Sequence, residues 1–340
     1  MNNKFQNALN KTAQQIPPIW FMRQAGRYHD HYQELKKSHT FVELCKIPEL
    51  AAETAMGPIR DFDFDVSIFF SDLLYPLEAL GMGLEYSPAP KLDWHLRTEA
   101  DFKKFKNTDE ALPVLAFQEL ALKATREALP KDKSLLGFVG GPWTLFTYAV
   151  AGGHSGDLKD VKERLYLFEE FCEHMVPLLI KNIELQLRSS PDAVMIFDTA
   201  AGELSPAVYN KYVLPQLVKI SKAYPHKLGY YSKMTGPDHL LEIEKLPWAG
   251  IGIDHRWDLP KKLEQNTHPG FLQGNFDQAL LFCENAELIK RLDAYLEPYL
   301  RMSPEQRAGW VCGLGHGVLQ HTPQENVKSF VTHVREVFSR

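Results

Sequence analysis

Two arginines four positions apart, Arg23 and Arg27 in FMRQAGRY, directly follow the apolar run Ile19-Trp20-Phe21-Met22. A guanidinium is a fixed cation with five donors in a planar fork, matched to carboxylate and phosphate oxygens. The pair suits one of two tasks. It can make ion pairs with this chain's own carboxylates, Asp30, Glu34 or Asp72, or it can hold anionic groups of a ligand, with Gly26 letting the backbone approach closely. Asp72 follows the run Ser67-Ile68-Phe69-Phe70-Ser71. An Asp there can simply cap the next helix. What comes after it, LLYPLEALGMG, is apolar, so the carboxylate would face a mostly dry cleft. Only cations or N–H donors would keep it ionised there, which suits the stabilisation of positive charge. His316 in GLGHGV has glycine on both sides, leaving ring and backbone N–H groups accessible; a structural histidine is the competing reading. Tyr148 in GGPWTLFTY belongs either to a packed helix face or to the cleft. Thr199 in FDTAAG is a turn residue or a hydroxyl donor.

Something must bring these scattered residues together. Short β-prone apolar runs recur at Ile19–Met22, Val66–Phe70, Leu135–Val139, Ala193–Phe197, Lys227–Tyr231, Gly250–Ile253, Gly270–Gln273 and Trp310–Leu314. Most are apolar enough to be covered on both faces, as parallel strands are. Helical patterns lie between them. One opens at Pro48 with Glu49 in its first turn, and two long amphipathic stretches cover 109–129 and 161–187. A fourth begins at Ser205-Pro206, and a last one is expected to repeat that start with Thr322 as cap and Pro323 in the first turn. Strand-plus-helix units in this number predict a single (β/α)8 TIM barrel over 16–340, preceded by an extension over 1–15. A doubly wound open sheet is the runner-up, and the lack of GxGxxG after a strand disfavours its dinucleotide-binding form. In a barrel, the active site lies at the C-terminal strand ends. There the sequence puts Arg23 to Arg27, Ser71-Asp72, Gly140-Gly141-Pro142, Asp198-Thr199, Lys233, Asp254-His255, Asn275 and Gly315-His316-Gly317.

Composition narrows the class of function. The chain has 340 residues, 44% hydrophobic and 24% charged, so a sizeable core is expected. A net charge of −5 without a basic tail argues against nucleic acid as a partner, and any anionic ligand must be held by locally placed cations. The four cysteines are far apart and form no CxxC pair, so neither a disulfide scaffold nor a structural zinc site is expected. No metal-ligand spacing, G-x-S-x-G elbow or P-loop is present. Lys233 in YYSKMTG could carry a Schiff base, with no independent support. MNNKFQNALNKTAQQIPP lacks the apolar core of a signal peptide, and no run approaches the roughly 20 apolar residues of a membrane span. A cytoplasmic protein with no membrane partner is the expectation.

PPIWFMRQAGRY, ELCKIPELAAETAMGPI, FDVSIFFSDLL, GLGHGV and TPQENV together resemble uroporphyrinogen decarboxylase of haem biosynthesis. ALGMGLEY, GGPWTLFTYAVAGG, FDTAAGELSP and LQGNFDQALL extend the resemblance in family order from about Ile16 to the C-terminus. It implies a (β/α)8 barrel enzyme that needs no cofactor or metal and is usually a homodimer. Its substrate would be uroporphyrinogen III, whose four acetate side chains become methyls as coproporphyrinogen III forms. Carried over, the substrate-binding segment is Arg23, Gln24, Ala25, Gly26 and Arg27. Asp72 is the essential acid, Arg23 and Arg27 share the catalytic assignment, and Tyr148, Thr199 and His316 complete the cleft.

Four positions depart from the family pattern. Gly313 replaces an Asn, Pro76 stands one place early, His255 replaces a Trp, and Ala200-Ala201 replaces a bulkier pair. They bear on cleft shape rather than reaction class. Two other readings compete. A zinc-dependent methyltransferase of the same superfamily needs an H-x-C pair and a later Cys, where this chain has Tyr231-Ser232-Lys233 and His316. A non-catalytic tetrapyrrole carrier would have no use for Asp72 facing the ring.

Overall fold

The computed structural model describes residues 3–86, 89–153, 156–265, 267 and 270–339. Its main sheet is parallel and seven-stranded, in the order β1 (Val66–Ile68), β4 (Ser134–Gly140), β5 (Ala193–Asp198), β6 (Leu228–Ser232), β7 (Gly250–Gly252), β8 (Phe271–Phe276) and β9 (Trp310–Leu314). The remaining strands, β2 (Glu85–Tyr86) and β3 (Pro90–Lys91), form a small antiparallel pair. Neighbours in the main sheet are neighbours in sequence, each joined by a crossover that carries helix, the α/β pattern expected from apolar runs alternating with amphipathic ones. From β4 to β9 every strand residue is buried, which explains why these runs read as continuous rather than alternating.

The run Ile19–Met22 does not form a full strand. Ile19 alone makes a parallel bridge, to Cys312 of β9. The Cys312 N–H donates to the Pro18 carbonyl at 2.9 Å and the Trp20 N–H to the Cys312 carbonyl at 3.1 Å. On its other side the Ile19 carbonyl accepts from the Asp65 N–H at 3.0 Å, just before β1. Pro17 and Pro18 have no N–H to give a ladder, and the chain turns at Met22-Arg23, so one bridge is all this segment can supply. Phe21 still anchors it, packing its ring 4.9 Å from both Phe64 and Phe330.

Prolines also divide the long helical patterns. The stretch 109–129 becomes Thr108–Ala111, a 3-10 turn Leu112–Leu115 around Pro113, and Ala116–Ala128. Pro215 lacks the N–H that a regular helix would use, and a π turn, Tyr209–Val213, precedes Leu214–Ala223. Ser205 caps as expected, its hydroxyl accepting from the Val208 N–H. Thr322 does not: its helix begins at Gln324 with Pro323 before it, and the Thr322 hydroxyl donates to the Leu319 carbonyl at 2.8 Å. Within the expected extension, the helix Asn3–Leu9 packs on the N-terminal side of the sheet. The Phe5 ring lies 5.5 Å from Phe271, and the Lys4 ammonium is 2.9 Å from the Asp65 carboxylate.

Candidate active site

The cleft opens at the C-terminal ends of the strands, as parallel α/β architecture favours. Arg23, Ala25, Asp72, Tyr148, Thr199 and His316 all line it. Its enclosed part measures about 200 Å³. That is less than the roughly 300–1,000 Å³ of pockets that engulf a drug-sized ligand, so a larger ligand must rest partly outside.

The segment 21–28 presents its cations through backbone geometry. Arg23 has φ of 59°, in the left-handed region, which turns its side chain out over the strand ends. Gln24 is turned away from the cleft. Its amide donates to the Val66 carbonyl at 2.9 Å and accepts from the Phe21 N–H at 3.3 Å, while its own carbonyl accepts from the Tyr28 hydroxyl at 2.8 Å. It ties the arginine loop to β1. Arg27 is exposed beside the cleft rather than in its lining. Among the described residues neither guanidinium has an ion pair, so Asp30, Glu34 and Asp72 are not their partners.

Asp72 accepts from the Leu74 N–H at 2.8 Å, a local Asx turn rather than a helix cap, since the next helix, Tyr75–Leu77, has Leu74 at its N-cap and no side-chain cap bond. Burial raises its carboxyl above the ordinary range, against the Leu74 N–H, the Tyr86 hydroxyl and the Arg23 charge, which all lower it. Cations and N–H donors, the groups that would keep the carboxylate ionised, are thus both present around it. Burial also raises Tyr148, reinforced by the Asp72 charge and opposed by Arg23, so the three side chains share one electrostatic neighbourhood.

His316 is held by Tyr231. The Tyr231 hydroxyl donates to the Gly315 carbonyl at 2.7 Å, and its oxygen lies 3.1 Å from His316 Nδ1. With the phenol proton engaged by Gly315, the phenol oxygen is placed to accept from Nδ1. The two rings stack with centroids 6.0 Å apart and 13° between planes.

An aromatic floor runs beneath these polar groups. Phe69 and Phe138 lie 4.8 Å apart, Phe138 and Phe197 5.7 Å, and Phe197 and Tyr231 6.1 Å. Phe138 and Phe197 escaped sequence reasoning because inward residues of buried strands look like any core residue. The only available signal was their place near the strand ends. Ser71 and Gly317 join the lining, and the other strand-end candidates lie outside it. Asp254 accepts from the Met234 and Arg256 N–H groups and the Arg256 guanidinium, while Asn275 donates to the Asp254 and Trp257 carbonyls. Lys233 is absent from the lining too.

A family profile described as "Uroporphyrinogen decarboxylase (URO-D)" matches residues 1–337. The chain belongs to the uroporphyrinogen decarboxylase family. Proteins named uroporphyrinogen decarboxylase from Koribacter versatilis and Trichlorobacter lovleyi are each 32% identical to it, the first covering 100% of this chain and 97% of its own, the second 100% of both. One from Carboxydothermus hydrogenoformans is 30% identical over 100% of this chain and 97% of its own. Among solved structures, a methyltransferase from Methanosarcina mazei superposes with a TM-score of 0.75 at 18% identity, covering 98% of each chain. A putative vitamin-B12 independent methionine synthase from Listeria monocytogenes gives 0.54 at 14% identity, over 96% of this chain and 97% of its own. At these identities they show a shared fold alone.

None of the four departures from the uroporphyrinogen decarboxylase pattern reaches the cleft lining. Gly313 has a local reason. A Cβ there would stand 2.3 Å from the Trp20 carbonyl oxygen and 2.7 Å from Gln273 Nε2, so the closely approaching segment at Trp20 excludes any side chain.

Proposed function

We propose that this chain decarboxylates the four acetate side chains of uroporphyrinogen III to give coproporphyrinogen III, in haem biosynthesis. The observation that carries the reading is the Arg23 guanidinium, without an ion pair among the described residues, sharing a cleft with the half-buried Asp72 carboxylate, in a chain that matches this family over residues 1–337. The substrate bears eight carboxylates, and a protein with net charge −5 needs fixed cations at the cleft mouth to hold them.

Loss of CO2 from an acetate leaves an electron pair that needs a sink. Protonation of the pyrrole ring carbon provides one: the C–C bond to CO2 breaks, its electrons enter the cationic ring, the new methylene carbon takes a proton to become methyl, and the ring carbon gives up its added proton to restore the pyrrole, so that one proton is consumed per CO2 released. Asp72 accepts hydrogen bonds from the pyrrole N–H groups and stabilises the cation more than the neutral ground state. Arg23 and Arg27 hold substrate carboxylates. Tyr148, Thr199 and His316 orient the ring over the aromatic floor, with Ala25 and Gly26 leaving room for it and Gln24 fixing the loop. Asp72→Asn tests this directly. Substrate binding is expected to persist while kcat falls by at least about a hundredfold, the scale on which a preorganised electrostatic group acts. Wild-type turnover by this variant would overturn the mechanism.

The reading includes a closed (β/α)8 barrel, with Ile19 standing for the eighth strand; its bonds to Cys312 on one side and Asp65 on the other support that closure. It also includes a cytoplasmic homodimer. Free, buried Cys45, Cys172 and Cys312 suit a reducing compartment, and no helix among the described residues is long and apolar enough to cross a membrane. Exposed Met234 and Leu241 border one surface hollow and offer a second subunit an apolar contact.

A further inference from the structure

Thr199 and Tyr148 reach the cleft from different elements, one from the loop after β5 and the other from the helix Pro142–Ala151. Buried hydrogen bonds join these two elements at one point. Asp198 Oδ1 accepts from the Thr144 N–H at 2.8 Å and from the Thr144 hydroxyl at 2.7 Å. The same hydroxyl oxygen accepts from the Ala200 N–H at 3.1 Å. Trp143 Nε1 donates to the Ala200 carbonyl at 3.1 Å, and the Gly141 N–H to the Phe197 carbonyl at 2.8 Å. Thr199 is therefore flanked on both sides by residues fastened to the first turn of the helix that carries Tyr148.

The chemistry of the first turn explains the clasp. Gly141 occupies the N-cap position and has no side chain to accept from the free N–H groups, so Asp198 takes that role from the adjacent strand. Only glycine allows this approach, since a Cβ on Gly141 would stand 2.5 Å from the Asp198 Cβ. Asp198 and Thr144 are both fully buried. Asp198 Oδ2 has no hydrogen-bond partner among the described residues. Fully buried carboxylates are uncommon in purely structural roles, because the desolvation cost is large.

We propose that Asp198 and Thr144 are positioning residues that fix the Thr199 hydroxyl relative to the Tyr148 phenol, and thereby the seat of each acetate in turn. The inference rests on the decarboxylase reading above. Four acetates must occupy one site in succession, and each intermediate presents a different set of substituents to the same two hydroxyl groups. A loosened Thr199 slows steps unequally, because misplacement acts through the reacting geometry of each intermediate.

The test compares Thr144→Val with Thr144→Ser in the purified protein, using reduced uroporphyrinogen III and resolving products by carboxylate number. Valine keeps the volume and removes the hydroxyl, leaving the Ala200 N–H unpaired; serine retains both bonds. The expected result for Thr144→Val is a kcat lowered about tenfold, a KM within twofold of wild type, and more seven- and six-carboxylate intermediate at matched substrate consumption. Thr144→Ser restores kcat to within twofold and returns the wild-type product profile. Wild-type kcat in Thr144→Val would overturn the proposal. So would a lower kcat that tracks the folded fraction by circular dichroism and leaves the product profile unchanged. Turnover by the unmodified protein in the same assay judges the decarboxylase reading separately.

Discussion

Asp72 and Asp198 both stand near strand ends, yet their surroundings assign them different work. Asp72 has one backbone donor, lines the cleft and feels the Arg23 charge. Asp198 is sealed inside, and burial pushes its carboxyl up to about 6 despite the Thr144 and Trp143 donors. A carboxyl whose pKa is higher in the folded than in the unfolded state favours folding most when protonated. Its contribution is complete below about pH 4, the unfolded value, and is lost as pH rises through about 6. Asn at this position retains an oxygen for both Thr144 bonds and does not titrate. Wild type is therefore expected to gain of order 2 kcal/mol relative to Asp198→Asn between pH 6.5 and pH 4. Urea midpoints across that range measure it, and a constant difference would contradict the assignment. At this scale the sequence was informative where a residue's type restricts its use, as with the paired arginines and Asp72. It put Asp198 at a strand end but was silent on its bond to Thr144, because a clasp between residues 54 positions apart leaves no local pattern.

The arginine loop and the loop after β9 show how two elements share one function. Arg23 owes its direction to left-handed backbone, and Gly317 leaves the space its stem crosses: a Cβ on Gly317 would come within 2.5 Å of Arg23 Cδ. Gly317→Ala is expected to push the guanidinium off its line and lower kcat/KM about tenfold, the scale of one weakened charge-assisted hydrogen bond. Gly236→Ala is the control, since nothing lies within 4 Å of a Cβ there. Equal kcat/KM for Gly317→Ala and wild type would show that Arg23 does not need this path. The strands themselves were legible because buried parallel strands are continuous apolar runs. Segments with prolines were harder. Pro17-Pro18 reduce the first run to a single bridge, and Pro113 and Pro215 break helices whose periodicity reads straight through them. The shifted start at Gln324 has the same origin, since Thr-Pro fits a cap and its first turn as well as it fits the turn actually formed.

Over the whole molecule, a net negative chain encloses an aromatic-floored cleft lined by Arg23, whose guanidinium has no ion pair among the described residues. The family match over residues 1–337 and this charge arrangement agree on an anionic tetrapyrrole as substrate. The most direct measurement is anaerobic incubation of the purified protein with freshly reduced uroporphyrinogen III, adding no metal or cofactor, followed by separation of the oxidised products by carboxylate number. Seven-, six-, five- and finally four-carboxylate porphyrins, appearing in succession, are the predicted result. Unchanged eight-carboxylate substrate, with binding still detectable, would contradict the account and leave a protein that holds the tetrapyrrole without transforming it.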